Sequence, residues 1–423
     1  MNDYIDAVVV GAGPSGMMAA GQIAKKGRKV LLLEKEKEVG KKLSKTGGGR
    51  CNITYAEPDY KKLAAHYGEA QKFLYSPLSR FSVRNTFSFF EKMGLPLVEL
   101  ARKRVFPKTE KAEDVTKTML RFVEKQGVIL RTNTQLISID RQTDDSFKLT
   151  LKNNEEIYTR AVVFAVGGPS GKTLSKEIPK SWKILKRLGH TVNPPSPDLV
   201  PLTTKAKFVH RLSGLTMSFV ALRFKQDGKT KFKKIGKVLF THFGVSGPTV
   251  INSSKQALDL LNKTGKLTLS LDFFPDTEFD KLDRRLLSLI NKHPRKKIRN
   301  TLSELLPEEL AKTILYIVAP DLAEAKSNEL SKETRRLLVH KMKDFHFNIT
   351  GSMGLDWAIV ADGGVPLEEI DTKTMQSKRA PGLFLTGDVL DINRPSGGFS
   401  LQLCWTSGYV AAIGVDEYLS KKL

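Results

Sequence analysis

The chain has 423 residues, 40% of them hydrophobic and 27% charged, and its 69 Lys and Arg exceed its 45 Asp and Glu to give a net charge of +24. This length predicts roughly two to three domains of ~150 residues each, and the composition excludes a disordered chain. Two cysteines, Cys51 and Cys404, exclude a disulfide framework or a cysteine-only zinc site, and we predict no metal site. With neither an apolar run of about 18 residues nor a leader-like start, we expect a cytoplasmic protein without membrane insertion.

The large positive charge favours a polyanionic partner. Nucleic acid, an anionic membrane surface and phosphorylated substrates all meet this description. The alternative is a charged surface that only keeps the protein soluble. The charge alone does not distinguish between these explanations. The sequence also does not determine the oligomeric state.

The N-terminal residues predict a strand–helix–strand unit. Ile5–Val10 forms a buried strand, a glycine turn follows at Gly11–Gly16, an Ala-rich helix runs to Lys26, and Lys29–Leu33 forms the second strand. Glu34 closes that strand. This order of elements is typical of a dinucleotide-binding βαβ unit.

Each glycine of the turn has a mechanical role in such a unit. Gly11 permits the tight turn, Gly13 lets backbone N–H groups approach a pyrophosphate, and Gly16 lets the helix pack closely on the strand. The pyrophosphate then lies at the positive end of the helix. Glu34 is placed to accept hydrogen bonds from ribose hydroxyls.

Glycine motifs near both ends of the chain favour FAD over NAD. A strand at Val162–Val166 ends in two glycines, and a strand at residues 383–385 ends in Thr386-Gly387-Asp388, which places Asp388 against a ribityl chain. Gly397-Gly398 opens a final helix whose N–H groups would face the pyrimidine end of the flavin and favour its reduced form. The residues predicted to contact FAD are Gly11, Gly13, Pro14, Ser15, Gly16, Glu34, Lys35, Lys42, Ser44, Thr46, Gly48, Gly49, Arg50, Cys51, Asn52, Val166, Gly167, Gly168, Gly387, Asp388, Gly397, Gly398, Phe399, Ser400 and Leu401.

A set of motifs spread from residue 8 to about residue 412 resembles the BaiN/YhiN-type flavoproteins, which are NAD(P)/FAD-dependent oxidoreductases, some of them described as aminoacetone-oxidase-like. GGGRCN and THFGVSGP are the most specific. The resemblance implies an α/β fold, with a three-layer FAD-binding Rossmann-type domain (GxGxxG) and a large insertion that is β-rich and then helical. The motifs are Gly11–Gly16, Ser44–Asn52, Arg104–Pro107, Phe240–Pro248, Ile349–Ser352, Gly363–Val365, Thr374–Lys378 and Gly397–Phe399.

One loop departs from the family pattern. Where relatives have a Thr/Gly-rich loop after Gly168, the segment Pro169–Trp182 of this chain has lost glycines and gained lysines. The role of that loop in this chain therefore stays open.

A proline cluster at Asn193–Pro197 predicts a domain boundary. We predict an FAD-binding domain at 1–191 and 348–423, a β-rich subdomain at 192–275 and a helical subdomain at 276–347. The insertion has predicted strands at Phe219–Phe224, Lys237–Phe240 and Lys266–Leu271, and predicted helices at Asp280–Asn291, Thr301–Ile317 and Ser331–Lys341.

The insertion holds about half of the excess positive charge, with 28 basic against 16 acidic residues over 192–347. Three lysines flank a predicted hairpin turn at Asp227-Gly228, and a second group surrounds Pro294. Such lysines suit contacts with phosphates, although a solvated face is the simpler alternative. The predicted polyanion contacts are Lys231, Lys233, Lys234, Lys292, Arg295, Lys296 and Lys297.

Three side chains are candidates for chemistry beyond the flavin. Cys51 follows three glycines near the expected flavin, but a redox pair with Cys404 would lack the CxxxxC spacing of flavin disulfide reductases. His242 could donate a proton, and Arg104 could anchor a phosphate or carboxylate of the substrate. No second GxGxxG–acid unit occurs, so NAD(P)H is expected as a transient donor over the flavin, or the electron donor is another molecule.

These observations predict an FAD-dependent oxidoreductase that reduces an activated C=C bond. The resemblance implies ribosomal RNA as the substrate, because the family has been linked to dihydrouridine formation in large-subunit RNA, and the charge agrees with it. A uridine would have to be reached in a loop or splayed from its stack. The alternatives are a small-molecule ene-reductase or amine oxidase, and a flavin-containing RNA-binding protein without turnover.

Overall fold

The computed structural model describes residues 5–169, 178–322, 324–354 and 360–421. The chain divides into two compact units. The first unit comprises Met1–Ser196 and Val360–Leu423, and the second comprises Pro197–Ile359. The predicted domain limits at 191/192, 275/276 and 347/348 stay predictions. Residues 170–177 of the altered loop lie outside the described residues.

The strands and helices alternate in the first unit and are more segregated in the second. Within the described residues the strands are β1 Ile5–Val10, β2 Val30–Leu33, β3 Thr54–Tyr55, β4 Leu97–Leu100, β5 Arg104–Pro107, β6 Ile129–Arg131, β7 Leu136–Arg141, β8 Phe147–Leu151, β9 Glu156–Phe164, β10 Asn193–Asp198, β11 Leu202–Thr203, β12 Thr216–Gln226, β13 Lys229–Thr241, β14 Gly244–Ser246, β15 Thr268–Asp272, β16 Phe345–Asn348, β17 Gly351–Ser352, β18 Val360–Gly364 and β19 Leu383–Leu385. The α-helices are α1 Pro14–Ala24, α2 Tyr60–Ala65, α3 Gln71–Arg80, α4 Val83–Lys92, α5 Ala112–Lys125, α6 Lys180–Arg187, α7 Lys207–Arg211, α8 Pro248–Ile251, α9 Ser254–Thr264, α10 Phe279–Lys292, α11 Ile298–Leu302, α12 Glu308–Val318, α13 Lys332–Lys343 and α14 Phe399–Ser420.

The main sheet of the first unit has the strand order β6-β2-β1-β9-β8-β7, and β19 also pairs with β9. β1 is parallel to both β2 and β9, and β19 is parallel to β9. The residues of β2 and β19 and most of those of β1 are buried, as expected for strands covered on both faces. Because β6 is also parallel to β2, five parallel strands end at the same edge of the sheet.

Helices α1 and α14 pack on this sheet, and α5 packs against α1, where the Phe122 ring lies against Gly21. α14 is buried on most of its circumference, and it approaches α1 closely because a Cβ atom on Gly408 would lie 2.4 Å from the carbonyl oxygen of Ser15. This contact joins the N-terminal and C-terminal segments of the chain. None of the helices in the described part of the chain is both long enough and apolar enough to cross a membrane.

The second unit is built on a seven-stranded sheet of order β16-β15-β12-β13-β14-β11-β17, whose strand pairs are antiparallel. Helices α10 to α13 complete its core. As predicted, β12 and β13 form a hairpin that turns at Asp227 and Gly228, where φ is +47° and +76°. β14 pairs only with residues 239–241 of β13, so residues 229–236 pair with β12 alone among the described residues. The hairpin therefore presents an open strand edge over residues 229–235, while Thr249 of α8 lies against Gly236.

One predicted element is wrong in the structure. The helix predicted over Thr301–Ile317 is two helices, because α11 ends at Leu302 and α12 begins only at Glu308, directly after Pro307. A proline cannot continue an α-helix from the preceding turn but is tolerated where a new helix starts. The proline cluster predicted as a domain boundary forms β10, which pairs with β18, and the division between the two compact units falls within it, after Ser196. The predicted strands otherwise overlap the observed ones.

Candidate functional site

The turn between β1 and α1 combines two closely packed glycines with an open one. A Cβ atom on Gly11, where φ is +104°, would lie 2.6 Å from the carbonyl oxygen of Ala165, and one on Gly16 would lie 1.9 Å from that of Gly11. These two positions require glycine. A Cβ atom on Gly13, the N-cap of α1, would meet nothing within 4 Å. The open space at the positive end of α1, which begins at Pro14, fits a pyrophosphate.

Glu34 follows β2, and backbone N–H groups fix its carboxylate next to this turn. The Ala12 N–H donates to Oε2 at 2.9 Å, and the Glu36 N–H donates to Oε1 at 3.0 Å. Carboxylate oxygens have further lone pairs that can accept from hydroxyl groups. The position suits the predicted ribose contact. The neighbouring Lys35 is exposed, with Nζ 4.0 Å from Glu36 Oε1.

The glycine-rich loop after β2 has an unusual run of left-handed backbone. The φ angles of Gly47, Gly48, Gly49 and Cys51 are +58°, +67°, +85° and +60°. A left-handed conformation costs a non-glycine residue such as Cys51 roughly 1–2 kcal/mol, so the surrounding structure must impose it. Cβ atoms on Gly48 and Gly49 would meet nothing within 4 Å. One side of the loop is therefore open to a ligand.

Hydrogen bonds within the loop hold its shape. The Thr46 hydroxyl donates to the Leu43 carbonyl at 2.7 Å, and the Ser44 hydroxyl donates to the Lys41 carbonyl at 3.1 Å. Asn52 Oδ1 accepts from the Val105 N–H at 3.2 Å, which ties the loop to β5. These side chains thus shape the loop, whatever contacts they make with a cofactor.

Lys42 connects the loop to the end of β9. Its Nζ donates to the Gly168 carbonyl at 2.6 Å, while Trp182 Nε1 donates to the Gly167 carbonyl at 3.0 Å. Desolvation by the surrounding protein lowers the pKa of the Lys42 ammonium, and the charge of Asp388 opposes that shift. A Cβ atom on Gly168 would lie 3.2 Å from Cβ of Asp388. The loop, the β9 end and the β19 end therefore meet.

The turn after β19 is fixed between two helices. Gly387 has φ +65°, and a Cβ atom there would lie 2.8 Å from Ser15 Oγ. Its N–H donates to Ser407 Oγ of α14 at 3.0 Å. Asp388, with a side chain that is 36% exposed, follows at the edge where the parallel strands end.

The residues at this edge fit a flavin dinucleotide. Thr386 Oγ1 and Arg394 Nε are buried polar atoms that make no hydrogen bond within the described part of the chain, and the buried Asp388 Oδ1 has only its ion pair with Arg394 Nη2 at 2.8 Å. Such atoms are rare in folded proteins. Their grouping beside the open glycines Gly13 and Gly167 is what a site for a polar ligand requires. When bound there, FAD would supply hydride transfer, and the chain would hold and orient it.

Two glycines also shape the start of α14. Gly397 and Gly398 have φ +118° and +102°, and a Cβ atom on Gly398 would lie 2.4 Å from the backbone of Thr54. Among the described residues no side chain caps this helix, whose first residues are Phe399, Ser400 and Leu401. Its N–H groups are consequently available to a ligand.

Sequence reasoning missed an aromatic cluster next to this helix. Tyr55 stacks on Phe399 with ring centroids 4.7 Å apart, His66 lies 4.9 Å from the same ring, and the Tyr67 hydroxyl donates to the Phe399 carbonyl at 2.9 Å. His66 is exposed. The participants come from distant parts of the chain, so no local pattern signals them. The cluster places an imidazole within reach of the predicted flavin contacts.

The two cysteines are free, buried thiols. Burial raises the pKa of Cys51 to about 12, although a hydrogen bond with Thr46 opposes the shift. Burial also raises the pKa of Cys404, with a further contribution from Asp388. Both thiols are neutral at pH 7, which disfavours a thiolate role for Cys51 but leaves it a proton to donate.

Arg104 lies in β5, close to the glycine-rich loop. Its guanidinium is 5.9 Å from the centroid of the Phe106 ring, and that of Arg50 is 4.9 Å from the same ring. Arg50 also pairs with Glu110 at 3.0 Å, while Arg104 Nε donates to the Ala101 carbonyl at 3.2 Å. Two cations thus flank one aromatic ring near the predicted cofactor loop.

The remaining candidates lie in the second unit. His242 is exposed between β13 and β14, with its ring 4.9 Å from that of Phe243. Cys51 and Arg104 belong to the first unit, so one unit holds two of the three catalytic candidates and the other holds the third. No group of three His, Cys, Asp or Glu side chains that could bind a metal occurs among the described residues.

The predicted polyanion contacts differ in their ion pairing. Lys231, Lys233 and Lys234 are exposed on the open half of β13. In the other group, Lys296 pairs with Glu304 at 2.8 Å and Lys297 pairs with Glu324 at 2.5 Å. The sequence shows the lysines but not these partners.

The parallel sheet, the glycine turns at its edge and the acid after β2 are those of a dinucleotide-binding Rossmann-type domain. The family that the sequence matches makes the protein an FAD-dependent oxidoreductase of this type. More particularly, the chain belongs to the HI0933-like family: the family model described as "HI0933-like protein Rossmann domain" matches residues 5–414. This is the family of BaiN/YhiN-type flavoproteins that the sequence motifs indicated.

Two curated relatives align over almost their full length. The chain is 28% identical over 412 residues to a ribosomal RNA dihydrouridine synthase of Escherichia coli, covering 97% of this chain and 98% of that protein. It is 26% identical over 422 residues to a 3-dehydro-bile acid delta(4,6)-reductase of Clostridium scindens, covering 97% and 98%. A solved 3-ketosteroid-delta4-(5alpha)-dehydrogenase from Rhodococcus jostii RHA1 shares the fold, with a TM-score of 0.51, 15% identity and coverage of 98% and 97%.

Proposed function

We propose that this chain reduces the C5=C6 bond of a uridine in ribosomal RNA to form dihydrouridine. The observation that best supports the proposal is the row of exposed lysines on the open edge of β13, in a chain of the same family as a ribosomal RNA dihydrouridine synthase. In this reaction a hydride adds to one carbon of the double bond and a proton adds to the other. FAD, when bound, supplies the hydride, and a nicotinamide cofactor replaces the two electrons.

The lysines support an RNA substrate because the structure leaves their charge uncompensated. Among the described residues, Lys231, Lys233 and Lys234 have no carboxylate partner within ion-pair distance. On the neighbouring strands, by contrast, Arg223 pairs with Asp272 at 2.7 Å, and that carboxylate also contacts Lys343. Uncompensated cations at an exposed strand edge suit a phosphate backbone.

The proton for the substrate has two candidate donors in the first unit. Cys51 keeps its proton because burial raises its pKa to about 12. His66 is exposed beside Phe399, and desolvation lowers its pKa while Glu57 opposes the shift. His66 is then mostly neutral at pH 7. We favour His66, because it is exposed to solvent: its imidazolium form donates the proton, and water reprotonates the ring between turnovers.

We propose NAD(P)H as the electron donor, bound only transiently. Among the described residues, the Gly11–Gly16 turn is the only GxGxxG turn that joins a strand to a helix. A donor without its own Rossmann unit must therefore approach the exposed side of the flavin. Stopped-flow reduction with NADH and NADPH, compared at equal concentration, tests this part of the proposal and identifies the preferred donor.

The decisive experiment is an anaerobic single turnover. The holoenzyme is reduced with one equivalent of dithionite and mixed with unmodified ribosomal RNA, and both flavin reoxidation and the mass of the RNA nucleosides are measured. The proposal predicts reoxidation together with a gain of two mass units on a uridine. Binding to RNA without reoxidation would instead support the non-catalytic RNA-binding alternative.

A small-molecule reductase is the second candidate, and the bile acid reductase of Clostridium scindens is the observation that favours it. The same reduced enzyme is mixed with conjugated steroid enones in place of RNA. Reoxidation by the enone and none by RNA would overturn the RNA proposal. An amine oxidase, in turn, predicts reduction of the oxidised enzyme by amines.

A further inference from the structure

Arg394 is a buried cation in the segment that joins the β19 turn to α14. Its side chain is 2% exposed, and it is the only Lys or Arg that is fully buried in the part of the chain described here. Removing a guanidinium from water is costly unless partners compensate for the lost hydration. Asp388 and Gly397, on either side of it in the sequence, are among the predicted flavin contacts.

The contacts of Arg394 are incomplete. Nη1 donates to the carbonyl of Ile392, and Nη2 lies 2.8 Å from Asp388 Oδ1. Neither Arg394 Nε nor Asp388 Oδ1 makes a hydrogen bond of acceptable geometry within the described residues. Asp388 Oδ1 is buried while its side chain is 36% exposed, so the accessible side of the carboxylate is Oδ2. The guanidinium thus contacts the inner oxygen and leaves the outer one free.

The positive charge of Arg394 affects the pKa values of two neighbouring groups. Burial raises the pKa of the Tyr67 hydroxyl, and the positive charge of Arg394 opposes the shift. The pKa of the Cys404 thiol is raised by burial and by Asp388, and is again opposed by Arg394. Tyr67 is bonded to the first residue of α14, so the cation lies close to the start of that helix.

We propose that Arg394 is a positioning residue for FAD: it holds Asp388 with Oδ2 towards the ribityl chain, and its charge sets the reduction potential of the bound flavin. The inference rests on FAD as the cofactor and is independent of the substrate. Since Arg394 and Asp388 have opposite charges, the pair is neutral. Its two members therefore act in opposite directions on a flavin that gains negative charge on reduction.

Substitutions of the two residues should therefore shift the reduction potential of the flavin in opposite directions. Arg394→Met leaves the Asp388 carboxylate uncompensated and disfavours the reduced flavin, so the potential falls. Asp388→Asn leaves the Arg394 cation uncompensated, so the potential rises. A tenfold change in the ratio of the dissociation constants of oxidised and reduced FAD corresponds to about 30 mV for a two-electron couple. We expect shifts of at least that size, and a potential near the parental value in the double variant.

The experiment measures FAD affinity and midpoint potential in the full chain. Arg394→Met, Asp388→Asn, the double variant and Arg394→Lys are titrated with FAD and then reduced against dyes of known potential. Arg394→Met and Asp388→Asn should both bind oxidised FAD at least about tenfold more weakly, because the carboxylate is misplaced or lost. Arg394→Lys retains the charge and should keep the potential near that of the parent.

The matched control is another poorly exposed Arg–Asp pair. Arg335 donates through Nε and Nη2 to both oxygens of Asp283, at 2.8 and 2.9 Å, in the second unit. Arg335→Met should lower thermal stability without changing FAD affinity or potential. Shifts of the same sign in Arg394→Met and Asp388→Asn, or shifts far below 30 mV, would overturn the proposal. If Arg394→Met does not fold, Asp388→Asn must still raise the potential and Arg394→Lys must leave it unchanged.

Discussion

At the scale of single residues, Gly13 and Gly16 give opposite results when a side chain is added. Gly13→Val should fold, because a Cβ atom there meets nothing within 4 Å, but it should bind FAD at least about 100-fold more weakly, since the valine fills the predicted pyrophosphate space. Gly16→Ala should instead fail to fold, since its Cβ would lie 1.9 Å from a carbonyl oxygen. Flavin absorbance per protein and circular dichroism separate the two. A yellow, folded Gly13→Val protein would contradict the cofactor placement.

Cys51 gives a second prediction at this scale. Because burial raises its pKa to about 12, the thiolate fraction is negligible at pH 8 and no reagent has direct access to the sulfur. We expect Cys51 to resist iodoacetamide in the native protein and to react after unfolding in urea. Mass spectrometry of the tryptic peptide measures this. Rapid alkylation of the folded protein would show a reactive thiolate and revive a redox role.

At the scale of elements, a series of buried side-chain hydrogen bonds connects the residues after α6 to the segment before β19. His190 Nδ1 donates to Glu369 Oε2 at 2.6 Å, and the Ser377 hydroxyl donates to His190 Nε2 at 2.8 Å. The order resembles that of a hydrolase triad. Ser377 Oγ, however, is buried and already accepts hydrogen bonds from the N–H groups of Arg379 and Ala380, at 3.0 and 2.8 Å. We therefore interpret these hydrogen bonds among Glu369, His190 and Ser377 as structural, and call them the lock.

The lock predicts a stability loss in mild acid. Burial lowers the pKa of His190 below its usual 6.5, against the opposing effect of Glu369, so the folded state keeps the ring neutral while the unfolded state is protonated below about pH 6.5. The unfolded state then binds more protons, and the free energy of unfolding falls as the pH decreases from about 6.5. Urea titrations at pH 7.5 and 5.5 measure the loss. His190→Gln should remove this pH dependence, and a persistent slope would assign it to other groups.

Ser377→Ala tests the same lock without changing a charge. The substitution leaves His190 Nε2 buried without its donor and removes the acceptor for two backbone N–H groups. A buried polar group without a partner costs roughly 1–3 kcal/mol of stability. We expect a loss of that size in urea titrations at pH 7.5, with FAD binding retained. An unchanged midpoint would contradict the assigned hydrogen bonds.

Elements that a local sequence pattern determines could be predicted. Features that depend on contacts between residues distant in the sequence could not. β1 has the predicted limits Ile5–Val10, because a run of buried apolar residues before a glycine turn leaves few alternatives. Pro307 was a local signal for the break between α11 and α12. The apolar pattern on both sides of it nevertheless favoured one continuous helix. Arg394 and the ring cluster of Tyr55, His66 and Phe399 had none, because their burial and contacts depend on residues far away in the sequence.

At the scale of the whole molecule, the net charge of +24 separates into compensated and uncompensated groups. Lys296 and Lys297 have carboxylate partners, as do Arg223 and Lys225 on β12, the latter with Asp344 at 2.9 Å. The lysines of the open β13 half do not, within the described residues. Lysines on an exposed edge strand also prevent pairing with other chains, so their presence alone does not demonstrate RNA binding.

The salt dependence of RNA binding distinguishes these two explanations. Each phosphate contact contributes roughly 0.7–0.9 units to the slope of log affinity against log salt, so replacing Lys231, Lys233 and Lys234 with Gln should lower the slope by about two to three units and weaken binding to all RNA sequences alike. The control, Lys296→Gln with Lys297→Gln, should change it by less than one unit, because Glu304 and Glu324 already compensate those charges. Flavin content should stay at the parental level in both proteins, since the predicted FAD contacts lie in the other unit. Parental affinity and slope in the triple variant would show that these lysines only protect the strand edge, and the small-molecule reductase would become the better proposal.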